Sequence, residues 1–174
     1  MDADRSFVEF TRTQYAGLVR TAALLTTDMG SAEDLVQETL AKLYPVWWRV
    51  DAADHPLAYV RRCLTNAFVS SRRRASATEI VVATVPDAPT RLDASEGVVD
   101  RGLTVQLLSR LSDRQRAAIV LRYYHDLTDD EIAAHLDCRR ATARSLVSRG
   151  LAAMREETAK TEGVRSGTSG GDRT

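Results

Sequence analysis

Apolar positions along this chain fall into two helical registers, separated by a stretch in which the pattern fails. Phe7, Phe10, Leu18, Ala22 and Leu25 recur at steps of three, four, seven or eight, predicting a first long helix that ends near Asp28-Met29-Gly30. Ser31 is expected to cap a second helix, with Leu35, Leu40, Leu43 and Trp47 facing inward. Glu33, Asp34 and Glu38 then suit its N-terminal end on dipole grounds. His55-Pro56 resets the chain, and a third helix is predicted from about Leu57 to Arg74 with Val60, Leu64 and Phe68 inside. From Ala75 to about Asp100, Pro86, Pro89, Gly97 and the acidic residues Glu79, Asp87, Asp93, Glu96 and Asp100 interrupt a short apolar run, Ile80 to Val82. This reads as a linker.

The second register opens near Leu103, where Leu107, Leu108 and Leu111 lead to a capping box, Ser112-x-x-Gln115. A helix from Gln115 to Tyr124 presents Ala118, Ile119 and Leu121. Thr128 and Glu131 form a second capping box ahead of Ile132, Ala133 and Leu136. The pattern breaks at Asp137, and Ala143, Val147, Leu151 and Met154 then recur at helical spacing. Two short helices around a tight turn predict a helix-turn-helix, a device for reading the DNA major groove. The expected architecture is all-α: two small helical domains at 6–75 and 103–157, a flexible linker at 76–102 and a disordered tail at 158–174.

Composition supports helices, since 44% of residues are hydrophobic but only 6% aromatic, leaving Ala, Leu and Val to fill the cores. Net charge is zero, which taken alone argues against a nucleic-acid partner. The average conceals segregation: arginines cluster at 61–62, 72–74 and 139–149, and the acidic residues gather between them. Cys63 and Cys138 stand alone and read as small hydrophobes, so neither a disulfide nor a metal site is expected. No catalytic constellation, phosphate loop or cofactor motif stands out, so no enzyme activity and no cofactor are expected. With no signal-peptide pattern or membrane span, the expected location is the cytoplasm, without membrane insertion.

On the last predicted helix, Arg140, Thr142, Arg144, Ser145, Ser148 and Arg149, preceded by Arg139, offer guanidinium and hydroxyl donors for phosphates and guanine edges. A merely solvated helix face would also carry arginines. The motif alone leaves repressors, response-regulator outputs and polymerase specificity factors open.

Two segments of the first block, AEDLVQETLAKLYPVWWRV and PLAYVRRCLTNAFVSSRRR, and one of the second, LLSRLSDRQRAAIVLRYYHDLTDDEIAAHL, together resemble the extracytoplasmic-function sigma factors of bacterial RNA polymerase, of the actinobacterial SigE-like kind. The resemblance covers about residues 6–157, as region two followed by region four. It implies a protein that binds core RNA polymerase and directs promoter-specific initiation on promoter DNA. Asp34, Gln37 and Glu38 would then meet the polymerase clamp, where acidic groups facing a basic partner give a fast, oriented encounter. Tyr59, Arg61, Arg62, Asn66, Arg72, Arg73 and Arg74 would face the melted minus-ten element. Tyr59 and Trp48 are open to two roles, base stacking or core packing. The helix from Arg140 would read the minus-thirty-five element.

Three departures from the family pattern fall in that second block. Asp137 stands where the family usually has Gly, Arg139 where a Ser or Thr caps, and Ala143 where a larger Val is common. The first two bear on base specificity more than on the fold, and Ala143 implies slightly looser packing of the last helix. Members are often held by an anti-sigma factor. Promoter elements two DNA turns apart lie roughly 70 Å from each other, against ~25–30 Å for a flexible linker of about 25 residues, so the polymerase is expected to set the spacing. The rival reading is a helix-turn-helix regulator that binds an operator on its own.

Overall fold

The computed structural model describes residues 2–78 and 101–167, with side chains from 3–71 and 102–160, and the described residues are helical throughout apart from short turns. In the first block α1 (Asp2–Thr26) packs along α2 (Met29–Leu43), a 3-10 turn (Tyr44–Val46) leads into the short α3 (Trp47–Asp51), and α4 (Pro56–Thr78) closes the bundle. In the second block α5 (Arg101–Ser109), α6 (Asp113–Tyr123) and α7 (Asp129–His135) gather around α8 (Arg140–Gly167). The linker's acidic residues and the run Ile80–Val82 lie outside the described residues.

The helix boundaries follow from local chemistry, with three corrections. The second helix is capped by Asp28, not Ser31: the Asp28 carboxylate accepts from the Ser31 amide at 2.7 Å. A charged acceptor satisfies an orphan amide better than a hydroxyl, and that bond holds the Asp28 pKa below its usual value. Trp47 does not continue that helix, because Pro45 has no N–H to donate and turns the chain. The two neighbouring tryptophans consequently part. Trp47, 2% exposed, lies among Phe10 and Phe7 with ring centroids 4.8 and 5.1 Å away, whereas Trp48 is 66% exposed. At the far end, the expected disorder after Glu157 does not begin there. Helix α8 runs on to Gly167 through Ala159 and Lys160, both good helix formers, and only 168–174 lie outside the described residues.

Both capping boxes form as predicted, at Ser112/Gln115 and Thr128/Glu131. The predicted core residues Leu18, Ala22, Leu25, Leu35, Leu40, Leu43, Val60, Leu64 and Phe68 are buried, as are Ala118, Ile119, Leu121, Ile132, Ala133 and Leu136. Each larger one contributes about 1.5–3 kcal/mol by leaving water. Gly150 lets α8 close on α6, since a Cβ there would sit 2.8 Å from Ile119 Cγ1. The two blocks share one continuous hydrophobic core, with α1 and α4 of the first against α6 and α7 of the second.

Candidate nucleic-acid and polymerase interfaces

The helix-turn-helix is built by a left-handed stop. Asp137 has φ of 47°, the Cys138 amide reaches back to the Ala133 carbonyl at 3.0 Å, and the Leu136 amide bonds the Ile132 carbonyl at 2.9 Å. This is the Schellman closure that usually employs Gly, and Asp reaches it because its short polar side chain tolerates the conformation. Arg114 of α6 supports the same turn by donating from Nη2 to the Leu136 carbonyl at 3.1 Å. Arg122 and Asp129 form an ion pair at the entrance to α7.

Helix α8 then begins without a side-chain cap from the family's usual Ser or Thr; the Arg139 carbonyl accepts from the Ala143 and Thr142 amides at 3.0 and 2.9 Å. Ala143 and Val147 are buried against the rest of the block, with Leu146, Leu151 and Met154 half-buried beside them. Arg139, Arg140, Thr142, Arg144, Ser148 and Arg149 are exposed and Ser145 is half-buried. The predicted donors thus share the outward side of one helix N-terminal half, where a positive dipole end also favours phosphate. Arg140 Nε lies 3.6 Å from Asp130 Oδ1, with both side chains well exposed, a pairing worth little to stability.

In the first block Tyr59, Arg62 and Asn66 follow one another at steps of three and four on α4; Tyr59 and Arg62 are exposed and Asn66 is half-buried. Tyr59 and Trp48 therefore stand outside the core, which removes the packing alternative for both. Arg61 points elsewhere. It is half-buried toward the second block, and burial lowers its pKa, partly offset by the nearby Tyr124. Arg72, Arg73 and Arg74 continue α4, with their side chains outside the described set.

Asp34, Gln37 and Glu38 are exposed on one stripe of α2, opposite the buried Leu35, Val36, Thr39 and Leu40. Glu38 bonds Lys42 one turn on. Next to them the chain presents Tyr44, Val46 and Trp48, all exposed, and Arg49 lies 5.8 Å over the Trp48 ring. Tyr44 and Val46 escaped the sequence reading, and the Pro45 break that swings them outward was the available signal. Cys63 and Cys138 are half-buried against the core, and burial raises the Cys63 pKa. Among the described residues no group of His, Cys, Asp and Glu could hold a metal, and no helix is long and apolar enough to cross a membrane.

Arg116 and His125 were also missed, and no local pattern announces them. Arg116 is 5% exposed; its Nε donates to the Leu108 carbonyl at 2.8 Å, Nη1 to the Leu25 carbonyl at 2.8 Å and Nη2 to the Leu111 carbonyl at 3.1 Å. His125 Nε2 lies 3.2 Å from Thr21 Oγ1 of α1. Its pKa is lowered to about 4 by burial first, then by Arg61 and His135.

A basic helix in one helical block and a helix-turn-helix in the other define a two-block DNA-binding protein of transcription. Comparison with known proteins is more specific. The sigma-70 region 2 model matches residues 12–78 and the sigma-70 region 4 model residues 101–154. The RNA polymerase sigma-E factor of Streptomyces coelicolor is 34% identical over 151 residues, covering 87% of this chain and 85% of that protein. The ECF RNA polymerase sigma factor SigL of Mycobacterium tuberculosis is 31% identical over 145 residues, 80% of this chain and 81% of that one. The sigma factor RpoE of Bartonella quintana, solved in complex with the anti-sigma factor NepR, is 26% identical and covers 87% of this chain and 96% of its own at a TM-score of 0.73. The chain belongs to the sigma-70 family of RNA polymerase sigma factors, as one of its extracytoplasmic-function members.

Proposed function

We propose that this sigma factor divides its work among three surfaces. It binds core RNA polymerase and directs initiation at specific promoters. The stripe Asp34, Gln37 and Glu38 docks on the polymerase, with the adjoining Tyr44, Val46 and Trp48 supplying apolar contact. Tyr59, Arg61, Arg62, Asn66 and the arginines at 72–74 hold melted minus-ten DNA: guanidinium groups meet phosphates, the Asn66 amide meets a base edge, and the Tyr59 ring stacks. Arg139, Arg140, Thr142, Arg144, Ser145, Ser148 and Arg149 read the upstream element in the major groove.

The observation that carries the reading is the separation of charge on a neutral chain. An acidic stripe on α2 and an arginine row on α8 both face solvent and are matched to partners of opposite sign. Sigma factors in general are not enzymes, and this chain acts without catalysis of its own, in the cytoplasm where polymerase and promoter meet. Residues from about 6 to 75 form the polymerase-binding and minus-ten unit, and 103–157 the upstream-reading unit. An anti-sigma factor is the expected antagonist.

Run-off transcription with purified core enzyme tests this directly. Core alone yields no specific transcript from a promoter library, and core with this chain yields discrete starts. Failure to co-elute with core, together with operator binding by the isolated chain, would transfer the protein to the independent regulators.

A further inference from the structure

Asp137 holds a left-handed conformation, φ of 47°, that a residue with a Cβ enters at a cost glycine escapes. A turn so built competes with a right-handed form and gains from any hold outside itself. Within the turn the Cys138 amide bonds the Ala133 carbonyl at 3.0 Å. The Leu136 carbonyl is left over: among the described residues no backbone amide donates to it. Arg114, half-buried in the first turn of α6, fills that place by donating from Nη2 at 3.1 Å. The oxygen it holds belongs to the peptide that joins Leu136 to Asp137. Cranking that peptide, the step by which the turn would leave its left-handed form, breaks the bond to Arg114.

The turn aims the helix that follows, because only Leu136 to Arg139 separate α7 from α8. Further along, Gly150 seats α8 closely against Ile119 of α6. At the N-terminal end, which carries Arg140, Thr142 and Arg144, the buried contact is the small Ala143. The Arg140–Asp130 pair is well exposed and holds this end little. Bonds to base edges work only over ~2.7–3.2 Å and in a narrow range of angles, whereas long arginine side chains follow phosphates through a small swing of the helix. A loosened turn therefore costs base discrimination before it costs general attraction to DNA.

We infer that Arg114 is a positioning residue for upstream-element recognition: by holding the Leu136 carbonyl it keeps Asp137 left-handed, and so fixes the direction in which α8 presents Arg140, Thr142 and Arg144. The guanidinium supplies from α6 the rigidity that a glycine at 137 would give without help. The inference rests on the reading of α8 as the helix that meets the upstream element.

The test uses the full chain and two labelled duplexes, one carrying the upstream region of a promoter that the wild-type holoenzyme selects from a library, the other with that region scrambled. Arg114→Met should lose about tenfold in affinity for the first, as for a competent geometry populated about a tenth of the time, and stay within about twofold on the second. The slope of log affinity against log salt should not change, whereas a guanidinium resting on a phosphate would take about 0.9 from it. Hydrogen exchange at the Cys138 amide should quicken about tenfold in the same variant. Adding Asp137→Gly to Arg114→Met should restore both affinity and protection, since glycine holds the left-handed form unaided. No loss on the selected duplex, equal loss on both, a lower salt slope, unchanged exchange at Cys138 or no recovery with Asp137→Gly overturns the inference and leaves α8 as the DNA-reading helix. A wild type that does not distinguish the two duplexes sinks the reading of α8 itself, and the inference with it. Circular dichroism checks the fold. If Arg114→Met loses helix content, Arg114→Gln, a shorter side chain on a good helix former, is read in its place.

Discussion

Arg116 Nη1 donates to the carbonyl of Leu25 at 2.8 Å, joining two residues that stand 91 positions apart in the chain. Arg116→Met should therefore lower stability by about 3 kcal/mol, since it strips the shared donor from buried carbonyls in both blocks. Urea unfolding followed by circular dichroism measures this as a lower midpoint. Arg110→Ala is the control: Arg110 meets Glu157 from a largely exposed position, and its loss should cost less than about 0.5 kcal/mol. Equal losses in the two variants would contradict this structural role for Arg116.

The pH profile has a definite sign. His125 accepts a proton near 6.5 in the unfolded chain but only near about 4 in the folded one. Between those values the unfolded state binds more protons, so stability is complete above about pH 6.5 and declines as pH falls toward 4. His135, also lowered by burial first, acts in the same direction. Glu131 and Asp28, held low by the capping bonds they accept, lose their contributions only below their unfolded values of 4.5 and 3.8. Urea midpoints between pH 7 and 5 should therefore fall in the wild type and flatten in His125→Asn; parallel slopes would remove His125 as the cause.

Charge changes on the two exposed surfaces should separate two functions. Arg140→Ala with Arg144→Ala should weaken binding to an upstream-element duplex and reduce the slope of log affinity against log salt by about 0.9 for each phosphate no longer neutralised. Core affinity should stay unchanged. Asp34→Lys with Glu38→Lys should abolish co-elution with core and spare duplex binding. Neither pair should alter folding by more than about 1 kcal/mol, because these side chains are exposed. Unchanged core affinity in the lysine variant would remove α2 from the polymerase interface.

Thr27, between α1 and α2, has φ of 60°, a region that β-branched side chains rarely enter. Thr27→Asn should raise stability by about 0.5–1 kcal/mol by relieving that strain. Thr27→Val, which keeps the branch and loses the hydroxyl bond to the Thr26 carbonyl, should lower it. Thermal midpoints shifted by a few degrees in opposite directions would bear this out; a common direction would locate the strain elsewhere.

Signals confined to a few neighbouring residues were legible in the sequence. Ser112 with Gln115 and Thr128 with Glu131 closed as capping boxes because each partner lies three positions from the other. The break at Asp137 and the outward row from Arg140 to Arg149 are equally local, since helix periodicity alone puts Ala143 and Val147 inside and the arginines outside. Even so, Ser31 reads as the cap that Asp28 in fact provides, because both residue types cap and only geometry chooses between them. By itself the sequence determined most of the helices, their apolar faces and which charged residues those helices turn outward. Tertiary structure alone decided that Trp48 lies on the surface, that Arg116 is buried while Arg110 stays in solvent, and that His125 meets Thr21. The physical reason is range: caps and periodicity are set by bonds across one turn of helix, whereas burying a cation depends on carbonyls that distant helices bring together only after they pack.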